Sequence, residues 1–254
     1  MTRYVAPFVR RGRALARPDV RDPFDERGVA LIAVMSASSL LLALGLSLAL
    51  TTTVEVGIAA NHRDAVQTLH AAEAALEQAI ADLAAADWDG VLAGLVTSSF
   101  ADGGGDVTLP DGSRLDVAEE TNRMLCGAAA CGDADMDRVA PERPWGRNNP
   151  RWTVFASGTL TELLPADELA AGRAYVVVWV GDDPSENDAQ PLRDGGPPAV
   201  EDDANRSNPG GGALWLHARA YGRSGTRRTV EAIVERDPRW PATQLRIRVW
   251  REIA

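Results

Sequence analysis

Two cysteines are the first residues of this 254-residue chain whose type and spacing could do chemistry. Cys126 and Cys131 stand in "CGAAAC", and no histidine lies nearby in the sequence to complete a zinc site. In an oxidising compartment this spacing favours a disulfide that closes a small loop, and the alternative is a pair of free thiols. A catalytic role for either cysteine is not expected.

Two acidic clusters could bind calcium, which prefers carboxylate oxygens as ligands. The segment "DADMD" places Asp133, Asp135 and Asp137 at alternate positions, as in the first half of an EF-hand loop. However, Arg138 stands where that loop needs glycine, and Pro144 occupies its twelfth position. A second cluster lies further along the chain and comprises Asp182, Asp183, Glu186 and Asp188. For both clusters the alternative is a solvated acidic loop, and no other cofactor is predicted.

The histidines of the chain give no sign of a catalytic site. His62 and His70 belong to a helical pattern and His217 to a strand pattern, and none stands beside serine or cysteine in a nucleophile motif. Most tryptophans also fall in strand patterns, where core packing is a better explanation than carbohydrate binding. We therefore expect a protein that is not an enzyme.

A long uncharged run near the N-terminus must position the candidate residues described above, because all of them come after it in the chain. Residues 28–54 carry no charge and give 27 positions, more than the roughly 20 needed to cross a bilayer. The run is too long for the apolar region of a secretory signal, so it predicts a membrane-inserted helix. Before it, seven arginines stand against four acidic residues. Since positive flanks stay in the cytoplasm, the chain after Glu55 should face outward.

The helical pattern continues beyond the apolar run as an amphipathic helix over residues 55–88. Its large apolar residues recur three, four or seven positions apart and are Val66, Leu69, Leu76, Ile80 and Leu83, and Ala72 and Ala79 fill the same stripe. One continuous helix from about Val29 to about Ala86 would be roughly 85 Å long. Its first half must lie in lipid or among other helices, whereas its second half has one face to pack on a domain.

Residues 89–254 have the pattern of a β-rich domain. Short strands are expected in "DVTLP" and "SRLDVAEE". Firmer strand patterns follow in "RWTVFASGTL", "AYVVVWV", "ALWLHARAYG", "RRTVEAIVER" and "QLRIRVWREI". An acidic insertion at about residues 181–212 has too few apolar residues to build a core, so it should be an exposed loop. Together with the long helix these patterns predict an α+β fold with an antiparallel sheet.

Four segments spread along the chain carry a family likeness. They are "ERGVALIAVM", "NHRDAVQTLHAAEAALEQA", "YVVVWVGDDPSEND" and "LRIRVWREI". In this order they resemble the processing site, the juxtamembrane helix, a strand with its acidic loop and the C-terminal end of type IV pilins, and among these the PilX-type minor pilins. The resemblance implies a pilin-like fold, in which a long N-terminal helix packs on an antiparallel β-sheet head domain.

The resemblance implies that a prepilin peptidase cleaves the chain between Gly28 and Val29. Residues 1–28 would then be a cytoplasmic leader, and residues 29–54 a helix that lies in the membrane and later in the filament core. Residues 55–88 would be the amphipathic continuation of this helix, and residues 89–254 an extracytoplasmic head. The alternative is an uncleaved single-pass anchor in which Gly28 merely begins the helix.

Ala33 departs from the pattern of the major pilins. Most of them have glutamate at the fifth mature position, where it can pair with the N-terminal ammonium of a neighbouring subunit. A carboxylate inside an apolar helix bundle needs a charged partner, and this chain has no carboxylate at that position. The resemblance therefore implies a minor subunit rather than a major one.

The function implied by the resemblance is that of a structural subunit, assembled through its N-terminal helix into a type IV pilus at or near the tip. It would prime assembly or adhesion there, and methylation of the processed protein is also implied. Gly45 and neighbouring small residues would let helices approach closely. The partners would be other major and minor pilins, prepilin peptidase and the inner-membrane assembly machinery. The protein would first be a single-pass inner-membrane protein with its head outward and later part of a pilus at the cell surface.

Two other functions stay open on the sequence. One is a tip pseudopilin of type II secretion, and the other is a single-pass membrane-anchored protein with an outward binding or sensor domain. The formal net charge of −10 argues against nucleic acid as a partner, because an acidic surface repels phosphate groups.

Overall fold

The computed structural model describes residues 26–103, 105–159, 174–184, 190–194, 212–236 and 244–253 of the chain. Most of the predicted leader and of the predicted acidic loop lies outside these residues, including Glu186 and Asp188. By its internal contacts the chain divides into two compact units, Met1–Val56 and Gly57–Ala254. Helix α1 (Glu26–Leu83) contributes residues to both.

In the first unit α1 is apolar on all sides from Gly28 to Val54. Every side chain from Gly28 to Val56 is exposed. Several hydroxyl groups interrupt the apolar surface, and they donate to carbonyl oxygens one turn earlier in the same helix. These hydroxyls belong to Ser39, Thr51, Thr52 and Thr53. By length and composition α1 could cross a membrane, and its hydroxyls need no water there because their hydrogen bonds are already made.

In the second unit α1 packs on a sheet through small side chains. Its completely buried residues are Ala71, Ala72, Ala75, Leu76, Ala79 and Leu83. Since most of them are alanine, the helix axis can approach the sheet closely. The helix ends at Leu83, close to the predicted end, and the Trp88 indole N–H donates to the Leu83 carbonyl at 2.9 Å. This bond satisfies one of the carbonyls that every helix end leaves without a partner, and the short helix α2 (Trp88–Leu92) follows.

A five-stranded antiparallel sheet, with its strands in chain order, forms the centre of the second unit. A two-stranded pair, β1 (Asp106–Thr108) and β2 (Arg114–Asp116), precedes it. The strands of the larger sheet are β3 (Thr153–Thr159), β4 (Tyr175–Asp182), β5 (Ala213–Tyr221), β6 (Arg227–Arg236) and β7 (Leu245–Ile253). Each firm strand pattern in the sequence thus corresponds to one strand, because β-branched and aromatic residues suit a half-buried pleated surface. The predicted α+β class is confirmed.

The predicted strand "SRLDVAEE" is wrong beyond Asp116. The Asp116 carboxylate accepts hydrogen bonds from the backbone N–H groups of Ala118 at 2.9 Å and Glu119 at 3.0 Å. It therefore caps the start of helix α3 (Val117–Cys126), where an aspartate cap and acidic residues in the first turn are both favourable. Two shorter turns follow, α4 (Asp133–Met136) and a 3₁₀ helix (Gly146–Asn148).

The larger sheet has two differently covered faces. On the face that we call the helix face, β4 contributes Val176, Val178 and Val180 to the core cluster that contains the α1 alanines. On the opposite face, which we call the outer face, β4 contributes Tyr175, Val177 and Trp179 to a second cluster with Leu109, Leu115 and Val117. The segment between α2 and β3 therefore covers part of the outer face, and the rest of that face carries the groove described below.

The turn between β5 and β6 fixes the hairpin to α1. The Asp64 carboxylate accepts hydrogen bonds from the Ser224 backbone N–H at 3.1 Å and the Thr226 hydroxyl at 2.8 Å. Burial raises the pKa of Asp64, but these hydrogen bonds together outweigh burial and lower it. A Cβ at Gly222 would lie far inside van der Waals contact with the Thr68 hydroxyl, so only glycine lets the turn come this close to the helix.

Candidate functional site

The predicted processing and filament residues all lie on the exposed apolar part of α1. Gly28, Val29, Ala33 and Gly45 are exposed, and the large apolar side chains from Val29 to Val56 are 59–74% exposed. No described atom lies within 4 Å of a Cβ built at Gly28 or Gly45. An apolar surface of this extent is not stable in water and requires lipid or other helices. This surface is the first candidate site.

The first predicted calcium site consists of carboxylates that already have protein partners. The Asp135 carboxylate accepts hydrogen bonds from the Gly132 backbone N–H at 3.2 Å and from Arg138 at 2.8 Å. The Asp137 carboxylate pairs with Arg151 at 2.5 Å. Among the described residues, no three side chains of His, Cys, Asp or Glu come together as a metal site would need. Calcium at Asp133 and its neighbours stays a prediction without geometric support.

The second predicted calcium site is described only in part. Asp182 is the last residue of β4 and Asp183 follows it, and they are 4% and 9% exposed. Glu186 and Asp188 lie outside the described residues. The structure therefore brings together two members of this cluster, and the site as a whole stays a prediction.

Cys126 and Cys131 form a disulfide, with their Cα atoms 6.0 Å apart. It joins the last residue of α3 to the loop before α4. The Arg143 guanidinium reaches the same helix end, where it donates to the carbonyl oxygens of Leu125 and Cys126. Such bonds satisfy carbonyls that a helix end leaves without partners. The disulfide and Arg143 together tie the segment 126–149 to α3.

A buried asparagine fixes the far end of this segment. Asn149 is 1% exposed, and its side-chain N–H₂ donates to the carbonyl oxygens of Met136 at 2.9 Å and Arg138 at 3.1 Å. Its side-chain oxygen accepts from the Trp145 backbone N–H at 3.2 Å. Since every one of these bonds is to backbone, they set the path of the chain on both sides of Trp145.

Two adjoining cavities lie between this segment and the outer face of the sheet. The larger has a volume of about 550 Å³, within the usual range of ligand pockets, and the smaller about 230 Å³. Both are lined by Trp145, Trp215 and Glu231, and Trp152 also lines the larger one. We call the two cavities together the tryptophan groove. Sequence reasoning missed it, because it placed the tryptophans in the core.

The tryptophan rings of the groove stand edge to face. The rings of Trp145 and Trp215 are 6.0 Å apart at 87°, and those of Trp152 and Trp215 are 5.4 Å apart at 64°. This is a favoured arrangement for aromatic pairs, and it holds the rings in place. Trp152 and Trp179 are 9% and 0% exposed, as core residues should be, whereas Trp145 is 37% exposed. The exposed indole of Trp145 therefore projects into the groove and is held in place by its contact with Trp215.

The wall of the groove formed by β5, β6 and β7 carries a buried polar network. The carboxylate of Glu231 accepts from Arg251 at 2.7 and 3.0 Å and lies 3.2 Å from the Nδ1 of His217. Arg219 lies 3.3 Å from the Nε2 of His217, and since guanidinium has no acceptor, Nε2 must accept. These partners assign the proton of the neutral imidazole to Nδ1, which donates to Glu231. Both ring nitrogens are thus engaged within the protein.

Burial decides the ionisation of His217, and hydrogen bonds decide that of Glu231. Burial lowers the pKa of His217 and outweighs the hydrogen bond to Glu231, which favours the charged form. Burial raises the pKa of Glu231, but its bonds to His217 and Arg251 together outweigh burial and lower it. At neutral pH the groove therefore contains a neutral histidine beside an ionised glutamate.

Comparisons of the chain with protein-family models, with curated proteins and with solved structures give no match. The class of protein that the structure itself defines is an α+β protein with one described helix long and apolar enough to cross a membrane. Any function more specific than this class has to be argued from the two sites.

Proposed function

We propose that this chain is a minor pilin, a structural subunit of a type IV pilus that acts by assembly rather than by turnover. One observation carries the proposal. A single helix, α1, is exposed and uncharged over residues 28–54, and its later residues belong to the core of an antiparallel-sheet domain. A pilin-like subunit needs both parts of such a helix, because the first part lies in the membrane and later in the filament, and the second part packs in the head.

In the proposed mechanism, prepilin peptidase removes the leader at Gly28, and the new N-terminus at Val29 remains in the inner membrane with the head outward. The helix then leaves lipid for a bundle of similar helices. Lipid is as apolar as the bundle, so close packing between small side chains has to drive this transfer. Gly45 and the alanines and serines around it are small and exposed on α1.

Ala33 supports a minor place in the filament. An exposed alanine enters a helix bundle without the desolvation cost of a carboxylate. It also offers no charge to the N-terminus of a neighbour, so it does not supply the contact that would repeat along a filament. We therefore propose a position at or near the tip, among other major and minor pilins and the inner-membrane assembly machinery.

Replacement of Gly28 by phenylalanine tests the processing step, with Gly28→Ala as the matched control. A Cβ built at Gly28 meets no described atom within 4 Å, so neither change should disturb the described structure. We expect Gly28→Phe to retain the leader and to reduce surface pili, and Gly28→Ala to be processed. Intact mass and N-terminal sequencing measure processing, and electron microscopy measures piliation. If Gly28→Phe left both protein size and piliation unchanged, the proposal would be lost.

The alternatives give different outcomes in the same cells. A tip pseudopilin of type II secretion would show loss of secretion with intact pili after deletion of the chain. A plain membrane-anchored binding or sensor protein would keep Met1 as its mature N-terminus, whereas both pilin-like proteins would begin at Val29. The exposed apolar helix fits all three, and the residues around Gly28 favour processing.

A further inference from the structure

We infer that the tryptophan groove binds an acidic oligosaccharide. The assembly mechanism proposed above acts through the exposed part of α1 and does not use this groove. All residues of the groove belong to the second unit, so the inference goes beyond the pilin proposal and does not depend on it.

The wall of the groove is held in place before any ligand arrives. The segment that carries Trp145 has no regular secondary structure apart from α4 and the 3₁₀ turn. It is nevertheless fixed by the Cys126–Cys131 disulfide, by Arg143 on the end of α3 and by the buried side chain of Asn149. A wall that is already ordered loses little conformational entropy when a ligand binds.

The exposed indole of Trp145 gives the groove a surface for sugar rings. The C–H bonds on one face of a pyranose are weakly positive and suit the negative face of an aromatic ring. Trp145 is 37% exposed, and Trp215 is half-buried beside it. Two joined cavities that share these rings extend over enough space for more than one sugar unit.

The charges around the groove favour a ligand with carboxylates. Arg123, Arg138 and Arg143 line the larger cavity, and Arg251 lines the smaller. Within the described residues, Arg143 donates only to backbone carbonyls, so no carboxylate there neutralises its charge. This concentration of arginine occurs in a chain whose formal net charge is −10. Guanidinium groups bind carboxylates through paired hydrogen bonds, which uronic acids would supply.

Acidic groups in the lining do not cancel this preference. Glu231 also lines both cavities, but its carboxylate is already bonded to Arg251 and His217. The exposed side chain of Glu142 stands at the rim of the larger cavity, where water screens it. Asp183 lines the smaller cavity, but it is 9% exposed and already has an interaction of its own within the protein.

Three arginines of the lining already have carboxylate partners: Arg251 pairs with Glu231, and Arg123 and Arg138 pair with Glu119 and Asp135. The last two pairs are exposed and contribute little, so a ligand carboxylate can replace them, and Arg143 has no described carboxylate partner.

A peptide fits this groove less well than a sugar. Extended peptides bind sheets mainly by pairing their backbone with an open strand edge. Most of the groove lies over β5 and β6, and each of these strands already has a partner strand on both sides. The last strand, β7, has a partner on one side only, and it lines only the smaller cavity, with Val249 and Arg251. Over the larger cavity β5 and β6 therefore offer a ligand side chains rather than an open strand edge, which suits hydroxyl, carboxylate and C–H groups of an oligosaccharide.

Calorimetric titration of the full-length protein in detergent with tetragalacturonate tests the inference, and neutral maltotetraose is the matched ligand control. We expect saturable binding of tetragalacturonate with a Kd below about 1 mM, and at least about tenfold weaker binding of maltotetraose. Absence of binding by tetragalacturonate, or equal binding of the two, would overturn the inference. A protein that fails Gly28 processing can still pass this test, so the two proposals fail separately.

Matched variants locate the binding in the groove. Trp145→Ala should weaken binding about tenfold, whereas Trp250→Ala, which removes an equally exposed indole (37%) outside the groove lining, should change it less than about twofold. Arg138→Gln should weaken binding of tetragalacturonate about threefold, and Arg147→Gln, which removes an exposed arginine that lines neither cavity, should not. Equal effects within either pair would contradict the assignment. If Trp145→Ala unfolds the segment, the comparison of Arg138→Gln with Arg147→Gln still decides whether the ligand binds in the groove.

Discussion

The two parts of α1 differ in where their apolar surface finds a partner. From Gly57 to Leu83, a stripe of alanine and leucine is completely buried against the sheet of the same chain. From Gly28 to Val56, every side chain is exposed. Both parts are rich in alanine and aliphatic residues, so composition alone does not separate them. Charge does, because residues 28–54 carry none, whereas the later part carries charged residues that mark a side facing water.

The largest expected effect is a loss of stability, and it is tested by replacing one leucine in each part of α1. Leu76 is 0% exposed, and Leu76→Ala should lower the free energy of unfolding of the second unit by about 2–5 kcal/mol, because it leaves a cavity in the core. Leu44 is 59% exposed, and Leu44→Ala should leave that free energy within about 0.5 kcal/mol of the wild-type value.

Tryptophan fluorescence during urea unfolding in detergent measures this difference. All seven tryptophans come after residue 87, so the signal reports on the second unit alone. Equal destabilisation by the two alanine variants would mean that the two parts of α1 do not divide as described.

A charge in the exposed part should have the next largest effect, now on membrane insertion. Leu44→Arg should disfavour insertion by about 2.5–3.5 kcal/mol if this part crosses the bilayer. The control is His62→Arg, which puts the same side chain at an exposed position of the later part. Alkaline extraction of membranes should release the first variant and retain the second. Release of both, or of neither, would contradict a membrane role confined to the earlier part.

Glycines give the third contrast. Gly222→Ala should destabilise the second unit by about 1–3 kcal/mol, because the added Cβ would overlap the Thr68 hydroxyl. That hydroxyl cannot easily move, since Thr68 is 1% exposed and its side chain donates to the Asp64 carbonyl at 2.7 Å. Gly45→Ala adds the same methyl group where no described atom lies within 4 Å. Thermal unfolding followed by near-ultraviolet circular dichroism should detect only the first change.

Elements with a strong repeating pattern could be predicted from the sequence. Helix α1 and the five strands of the larger sheet follow directly from apolar periodicity and from runs of valine, isoleucine and aromatic residues. The start of α3 was missed, because alternating residues before and after Asp116 resemble a strand, and the aspartate acts as a cap only once the helix has formed. The aspartate cap and the acidic first turn of α3 are adjacent in the sequence, so the start of this helix could have been predicted.

The tryptophan groove could not be predicted in the same way. Trp145 and Trp215 are 70 positions apart, and they meet only because the segment tied to α3 folds over β5 and β6. Tryptophans in the strand patterns of the sequence suggest core residues, and Trp152 and Trp179 are indeed buried. Exposure of Trp145 depends on the path fixed by Asn149 and the disulfide, which no short pattern reveals.

The smallest expected effect is a pH dependence that arises in the second unit, from the buried His217. The pKa of His217 is lowered from 6.5 in the folded state, so the unfolded chain binds a proton first as the pH falls. The unfolding free energy should therefore be constant well above pH 6.5 and should decline as the pH falls below 6.5 towards the folded pKa.

His217→Asn keeps a donor towards Glu231 and an acceptor towards Arg219 but does not titrate. Urea unfolding at several pH values should show a flatter profile between about pH 7 and 5 for this variant. An unchanged profile would show that His217 does not cause the acid sensitivity in this range, since the lowered pKa of Asp64 acts only below its ordinary value of 3.8.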